Sequence, residues 1–332
     1  MEKVEFRLFV FALAVSLATA GFLCASNAKA EYPERPITML VAFSPGGSMD
    51  IAIRTISASA EKYLGKPIAV DNRGGGGGTV APAVVANAKP DGYTLCGATT
   101  SGLIRAPLMQ KVTFKPLRSF TPIIGFATPQ NAIIVAKDSS FKNLKELLDY
   151  AKKNPNKIKY STTGPGSSQH HQMELLAHDL GIKWIHVPYK GTQDAITALL
   201  GGHVDVCSAG PEWVPAKRSE LVRVLAVSQE KRSPNFPEIP TLKELGYPTI
   251  DEVIFSIVGP AGMSPQVVHK LESAFARAMD SQEFKNMTQK LDLIPVCYKS
   301  TAYEQYLKMF WARCEKTMKE TGIIKEAATS PY

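Results

Sequence analysis

The sequence lacks the short motifs that mark common catalytic and nucleotide-binding sites. It contains no G-x-S-x-G turn and no H-E-x-x-H helix, so hydrolase chemistry has no recognisable anchor. No G-x-x-x-x-G-K-[ST] loop occurs either, which removes the usual cradle for nucleotide phosphates. Nothing resembles a basic arm or a zinc finger, so nucleic acid is not an expected partner. These absences leave hydrolase chemistry and nucleotide binding without a supporting motif, and we expect neither an enzymatic activity nor a cofactor.

Cysteine is scarce, with 5 in 332 residues. Cys96, Cys207, Cys297 and Cys314 follow the N-terminal region, and their wide spacing excludes a C-x-x-C motif. An oxidising compartment would permit disulfides, whereas the apolar context of each residue favours buried thiols. Both alternatives stay open.

Long apolar runs are also lacking, except near the N-terminus. There Lys3 and Arg7 precede an apolar run from Leu8 to Leu23, and small residues follow at Ala28 to Ala30. This pattern predicts a cleaved secretory signal at residues 1–30 and a soluble, exported protein. A retained membrane anchor is the alternative, because the run is nearly long enough to span a bilayer.

The charge balance is basic, with a formal net charge of +8 at pH 7. A basic exported protein suits an anionic small ligand. Lysines spread along helices are, however, also typical of an ordinary solvated surface.

Short apolar strands alternate with helical segments along most of the chain. The run from Pro36 to Phe43 is followed by helical spacing from Ser48 to Leu64, and similar units recur. This alternation predicts an α/β fold with mainly parallel sheets flanked by helices. A last helix, about 301–321, should pack on the part of the protein that contains the N-terminal strands, through a stripe of Tyr306, Phe310, Cys314 and Thr317.

Two extended apolar stretches, 120–138 and 251–262, fit neither a helix nor a βα unit. They are expected to be two hinge connections between two lobes. The predicted lobes comprise residues 31–129 with 254–332, and residues 130–253.

Three segments place glycine beside serine or threonine where a strand ends and a helix begins: "SPGGSMD", "TTGPGSSQ" and "YKGTQD". Ligands of open α/β sheets bind at such ends, where helix N-termini favour anions. Facing each other across a cleft, these segments would hold a carboxylate without any charged side chain. Each segment taken singly is equally typical of an ordinary helix cap.

Five consecutive glycines, Gly74 to Gly78, raise the question of a phosphate loop. The segment "PGGSMD" lacks the G-x-G-x-x-G spacing of a nucleotide site, and a run of glycines matches many patterns by accident. The five glycines are therefore weak evidence for a phosphate loop.

A zinc site is a separate hypothesis. His171, Glu174 and His178 are spaced three and four apart on a predicted helix and could share one face. Trp213, after "AGPE", could line a cleft or fill a core.

Six segments in a fixed order carry a family resemblance. They are "YPERPITMLVAFSPGGSMDIAIR", "VDNRGGGGGTVAPAVVANAKPDGYTL", "YSTTGPGSSQHHQMELL", "HVPYKGTQDAITALLGGHVDV", "VRVLAVSQEKRSPNFPEIPTLKELGYP" and "VGPAGMSPQVVHKL". The chain from about 32 to 321 thereby resembles the substrate-binding proteins of tripartite tricarboxylate transporters, also called Bug receptors. In that family the glycine stretch is nearer "NRPGAGG", so the five glycines resemble a βα turn of a receptor lobe.

The resemblance implies a monomeric periplasmic receptor with the type II periplasmic-binding-protein fold. Such a receptor closes on a small organic carboxylate and delivers it to membrane permease subunits. A zinc-binding exported protein or metal-dependent enzyme, and a receptor that serves a signalling partner, remain alternatives.

The resemblance also implies which residues bind the ligand. The segment "CSAGPEW" departs from the family's usual run near the cleft and could alter ligand preference. The expected ligand-binding residues are Ser44, Pro45, Gly46, Gly47, Asp50, Thr99, Thr100, Ser101, Thr163, Gly164, Gly166, Ser167, His170, Tyr189, Lys190, Gly191, Cys207 and Gly210.

Overall fold

The computed structural model describes residues 31–249 and 253–332. The predicted signal peptide lies outside this part of the chain. Residues 31–34 belong to a separate unit without helix or strand, and Arg35–Tyr332 form one unit by their contacts. Among the described residues, no helix combines the length and apolar character needed to cross a bilayer.

The strands and helices alternate for most of the chain, as the sequence predicts. The strands are β1 (Ile37–Val41), β2 (Ile68–Asn72), β3 (Thr94–Thr99), β4 (Phe120–Thr128), β5 (Ala132–Ala136), β6 (Lys159–Thr162), β7 (Ile185–Pro188), β8 (Val206–Ala209), β9 (Val222–Val227), β10 (Phe255–Pro260) and β11 (Ile294–Lys299). The α-helices are α1 (Ser48–Leu64), α2 (Val80–Val85), α3 (Ala106–Met109), α4 (Leu144–Lys153), α5 (Ser168–Leu180), α6 (Thr192–Leu200), α7 (Trp213–Arg218), α8 (Pro265–Ala278), α9 (Gln282–Leu291) and α10 (Ser300–Glu320), and a π-helical turn spans Ser101–Arg105.

The strands form two sheets. The first has six strands in the order β11-β4-β10-β3-β1-β2, and the second has five in the order β7-β6-β8-β5-β9. The chain passes from the first sheet to the second between β4 and β5, and it returns before β10. The first passage lies within the predicted hinge connection 120–138, and β10 lies within the other predicted connection, 251–262. Because the contacts group Arg35–Tyr332 into one unit, the lobe boundaries stay a prediction.

The α/β class is confirmed, but both sheets are mixed rather than mainly parallel. In the first sheet β1 pairs in parallel with β2 and β3, whereas β10 is antiparallel to β3 and β4. In the second sheet β6 pairs in parallel with β7 and β8, whereas β5 is antiparallel to β8 and β9. The reason is the passage between the sheets. The chain enters β5 and β10 at the end of each sheet where the strands of the βα units finish, so β5 and β10 run antiparallel to those strands.

The C-terminal helix packs on the first sheet with a different stripe from the predicted one. Phe310 and Cys314 are buried as expected, but Tyr306 and Thr317 are only partly buried. The buried face is completed by Tyr303, Leu307, Trp311 and Met318. The true stripe is therefore rotated slightly around α10 from the predicted one.

The four cysteines of the described chain are free thiols. Cys96, Cys207 and Cys314 are buried, and Cys297 on β11 is exposed. Burial raises the pKa of the Cys207 thiol to about 12, which makes it unreactive at neutral pH.

Candidate functional site

Three helix N-termini meet at one cleft between the two sheets. Helix α1 begins after β1, α5 begins after β6, and α6 begins after β7. Residues at the start of each, Ser48, Ser168 and Thr192, line the same cleft. Because backbone N–H groups at helix N-termini are unpaired within the helix and carry partial positive charge, this convergence can hold an anionic group.

The cleft is narrow, with a cavity volume of about 40 Å³. Contacts from the two sides bring its walls together. The Ser44 hydroxyl donates to Asp194 Oδ2 at 2.7 Å, and the Gln110 side-chain amide donates to the Pro165 carbonyl at 3.3 Å. The structure thus shows the cleft closed.

The second-sheet wall carries a connected set of uncharged polar groups. The Thr163 hydroxyl donates to Gln169 Oε1 at 3.0 Å, and the Asn131 amide donates to Ser168 Oγ at 3.1 Å. All four side chains are buried. Their orientations are fixed by these bonds before any ligand binds, which lowers the ordering cost of recognition.

Glu212 brings a carboxylate into the cleft from the second-sheet side. The backbone N–H of Ser48, in the first turn of α1, donates to Glu212 Oε1 at 2.5 Å. Glu212 is only 6% exposed, and its Oε2 has no hydrogen-bond partner among the described residues. Among the described residues that line the cleft, Glu212 is the one with a formally charged side chain.

Asp50 fixes the conformation of the loop between β1 and α1 without lining the cleft. Its carboxylate accepts hydrogen bonds from the Gly46 backbone N–H at 2.9 Å, from Arg54 Nε at 2.8 Å and from the Asn72 amide at 3.0 Å. Burial alone would raise the pKa of Asp50, but these hydrogen bonds and the Arg54 charge outweigh burial and lower it. Asp50 therefore acts as a structural anion of the loop.

The structure brings a subset of the predicted ligand residues together. The expected residues that line the cleft are Ser44, Gly47, Thr99, Ser101, Thr163, Ser167, Gly191 and Gly210.

The other expected residues lie elsewhere. Cys207 is in the core of the second sheet, and Thr100 exchanges hydrogen bonds with Ile254 near the return connection. His170 accepts from the Gly166 backbone N–H through Nδ1 and stacks on His186. Outside the cleft lining are also Pro45, Gly46, Asp50, Gly164, Gly166, Tyr189 and Lys190, of which Gly164, Tyr189 and Lys190 border a separate outer depression.

Sequence reasoning did not name several lining residues as ligand groups. Some, such as Ser48, Ser168 and Thr192, lie one or two residues beyond a named glycine or serine, so the loop motif itself was the available signal. The remaining lining residues that it did not name are Phe43, Met49, Pro129, Asn131, Gln169, Gln193, Pro211, Glu212, Val253 and Phe255, of which Met49, Gln169, Gln193, Pro211 and Glu212 lie within loop segments quoted above.

The zinc hypothesis is wrong for the described chain, because the three side chains do not form a ligand set. His171 is 3% exposed with neither ring nitrogen hydrogen-bonded, and Glu174 accepts from the Tyr160 hydroxyl at 2.6 Å. No group of three or more His, Cys, Asp or Glu in residues 31–249 and 253–332 could hold a metal ion. Trp213 belongs to the core, where its indole N–H donates to the Gln130 carbonyl at 2.9 Å.

The fold and the cleft define a solute-binding receptor of the periplasmic-binding-protein class, and comparisons with known proteins identify the family. A family model described as "Tripartite tricarboxylate transporter family receptor" matches residues 52–327. A "UPF0065 protein in gbd 5'region" of Cupriavidus necator is 36% identical over 324 residues, which is 96% of this chain and 97% of that protein. The chain therefore belongs to the tripartite tricarboxylate transporter receptor family, as its resemblance implied.

Solved structures confirm the expected fold. The periplasmic binding protein BugD is 31% identical and superposes with a TM-score of 0.83, over 88% of this chain and 99% of that one. MatC of Rhodopseudomonas palustris, with bound malate, is 28% identical with a TM-score of 0.81, over 86% of this chain and 99% of that one.

Proposed function

We propose that this receptor captures a small carboxylate between two lobes in the periplasm and delivers it to the membrane subunits of a tripartite tricarboxylate-type transporter. The observation that carries the proposal is the convergence of the N-termini of α1, α5 and α6 on one cleft. The malate bound to MatC supports a carboxylate as the ligand.

Capture depends on movement of the lobes. The first lobe comprises residues 31–129 with 254–332, and the second comprises residues 130–253, with the passages between β4 and β5 and before β10 as hinges. The ligand enters an open form and shifts the population towards the closed one, because only the closed form offers it helix N-termini from both sides. Residues 1–30 act as the export signal and are removed.

Calorimetry with a panel of small mono-, di- and tricarboxylates tests the ligand class. We expect at least one member to bind, and Thr163→Val to weaken that binding by about tenfold, the cost of losing one buried hydrogen-bonding group. Thr113→Val, an exposed position outside the cleft, is the matched control. Absence of binding by every member to folded, ligand-free protein would refute the carboxylate assignment.

Uptake of the identified ligand by cells tests the transport assignment. We expect uptake to require both the receptor and the neighbouring membrane subunits. Uptake that is unchanged in cells lacking the receptor would remove the transport role while leaving binding intact.

A further inference from the structure

The lining of the cleft carries a negative charge, which is unexpected for a receptor of organic anions. The buried Arg105 lies behind this lining, where it donates to the Ser101 hydroxyl at 2.9 Å. Glu212 is the one formally charged side chain among the described residues that line the cleft, and no lysine, arginine or histidine lines it there. The charge of Glu212 therefore bears directly on which carboxylates this cleft admits.

Glu212 already occupies one of the three anion-favouring positions. Its Oε1 accepts from the Ser48 backbone N–H at the beginning of α1, where a helix N-terminus favours a carboxylate. A ligand carboxylate is consequently left with the beginnings of α5 and α6, where the hydroxyls of Ser167 and Thr192 and the backbone N–H groups of the first helical turns can donate. The Ser168 hydroxyl already donates to Gln169 Oε1 at 3.2 Å.

The second oxygen of Glu212 needs a donor that the described chain does not supply. Oε2 is buried and has no hydrogen-bond partner. A buried charged oxygen without a partner is costly, so a ligand that brings a donor to it gains affinity. An ammonium group serves this oxygen best, because it donates a charge-assisted hydrogen bond and cancels the negative charge.

We propose that Glu212 is a specificity-determining residue that selects carboxylates bearing an ammonium group, the chemistry of an amino acid. This inference rests on the proposed function. In the complex the ligand carboxylate lies at the beginnings of α5 and α6, and its ammonium group donates to Glu212 Oε2. A second carboxylate at that position would face Glu212 across a closed cleft, where like charges repel strongly.

Two matched ligand series test the selection by calorimetry at neutral pH. Succinate, malate and aspartate share a four-carbon skeleton with hydrogen, hydroxyl or ammonium at one carbon, and propionate, lactate and alanine form the corresponding three-carbon series. In each series that binds, we expect the ammonium member to bind at least about tenfold more tightly than the unsubstituted acid, with the hydroxy acid between them.

The variant Glu212→Gln keeps the shape of the side chain and removes its charge. We expect this substitution to reduce the preference for the ammonium member by about tenfold or more and to strengthen binding of the unsubstituted acid. The control is Glu326→Gln, since the Glu326 side chain is 84% exposed. It should leave the preference unchanged.

The outcomes separate this inference from the proposed function. If no carboxylate binds, with or without an ammonium group, the proposed function itself fails. If unsubstituted acids bind the wild-type protein as tightly as their amino counterparts, or if folded Glu212→Gln keeps the wild-type preference, the inference alone is overturned. Circular dichroism checks the fold of the variant; should it not fold, the wild-type series alone decides.

Discussion

Glycine residues determine how closely the two sides of the cleft approach. Gly77 lies in the five-glycine run with φ +68°, and a Cβ there would lie 2.1 Å from the Pro165 carbonyl oxygen of the opposite side. At Gly166 a Cβ would lie 2.4 Å from the Ala106 Cα. The glycine run thus lets the backbones of the two sides pack against each other. This packing indicates that the run forms a contact that closes the cleft rather than a phosphate loop.

The substitution Gly77→Ala should weaken ligand binding by about tenfold or more, because the added methyl group meets a backbone carbonyl that cannot rotate away. The matched control is Gly65→Ala at the end of α1. Gly65 has φ +70° but open space around its Cβ position, so it carries the same backbone strain of about 1–2 kcal/mol without the clash. Calorimetry and thermal unfolding measure both effects. Equal affinities for the two variants would contradict a closure role of Gly77.

At the level of single residues, the sequence predicted loops that border the cleft but only some of the residues that line it. Ser44, Gly47 and Gly191 followed from loop motifs. Glu212 did not, because its position depends on how a loop of the second sheet meets α1, some 164 residues away along the chain. No local pattern encodes that contact.

At the level of elements, α5 and β7 share a stack of aromatic rings. His170 stacks on His186 at 4.2 Å between ring centroids, and His186 stacks on Tyr160 at 4.9 Å. Burial, and then the charge of His170, lowers the pKa of His186 to about 3. Burial also lowers the pKa of His170, against the opposing charge of Glu174, and that of His171, with further lowering from Arg105 and His170.

These histidines should make the fold acid-sensitive. Below the ordinary histidine pKa of about 6.5, the unfolded chain binds protons that the folded chain does not, so the free energy of unfolding falls as pH decreases. For His186 this loss extends from about pH 6.5 towards pH 3.

We therefore expect Tm to fall between pH 7 and pH 4, and to fall less steeply for His186→Gln. The exposed His269, changed to Gln, is the control and should follow the wild-type slope. Parallel curves for all three proteins would show that His186 does not contribute to this linkage.

Trp213 connects α7 to the passage between the sheets through its bond to the Gln130 carbonyl. Trp213→Phe keeps an aromatic ring but leaves a buried carbonyl without its donor, at a cost of about 1–3 kcal/mol in unfolding free energy. Trp184 offers the comparison, because its indole N–H is buried without a partner in the described chain. Urea unfolding should show a smaller loss for Trp184→Phe, and a larger one would contradict the role given to Trp213.

The elements themselves were largely predictable, because apolar periodicity alternates clearly between strands and helices. The strand directions were less so. Sequence patterns do not show whether a strand runs parallel to the strands of the βα units or, like β5 and β10, antiparallel to them.

At the level of the whole molecule, the closed cleft implies a more open form that admits the ligand. We expect small-angle X-ray scattering to show a smaller radius of gyration with saturating ligand than without it, since closure brings the lobes together. The control is a carboxylate that calorimetry shows not to bind. An unchanged radius of gyration would mean that the two sheets do not move as lobes.

The two-sheet architecture was predictable because extended apolar stretches interrupt the βα rhythm at two places, 120–138 and 251–262. The closed state was not, since it depends on contacts such as that between Ser44 and Asp194, which lie 150 residues apart in the chain.

Walls that touch also impose an order of events. Contacts such as the Ser48–Glu212 hydrogen bond join the two walls of the cleft, so we expect the lifetime of a complex to depend on how often these contacts break. In the proposed transport role, a more stable closed form would slow release of the ligand, so fast transfer would require the membrane subunits to open the receptor.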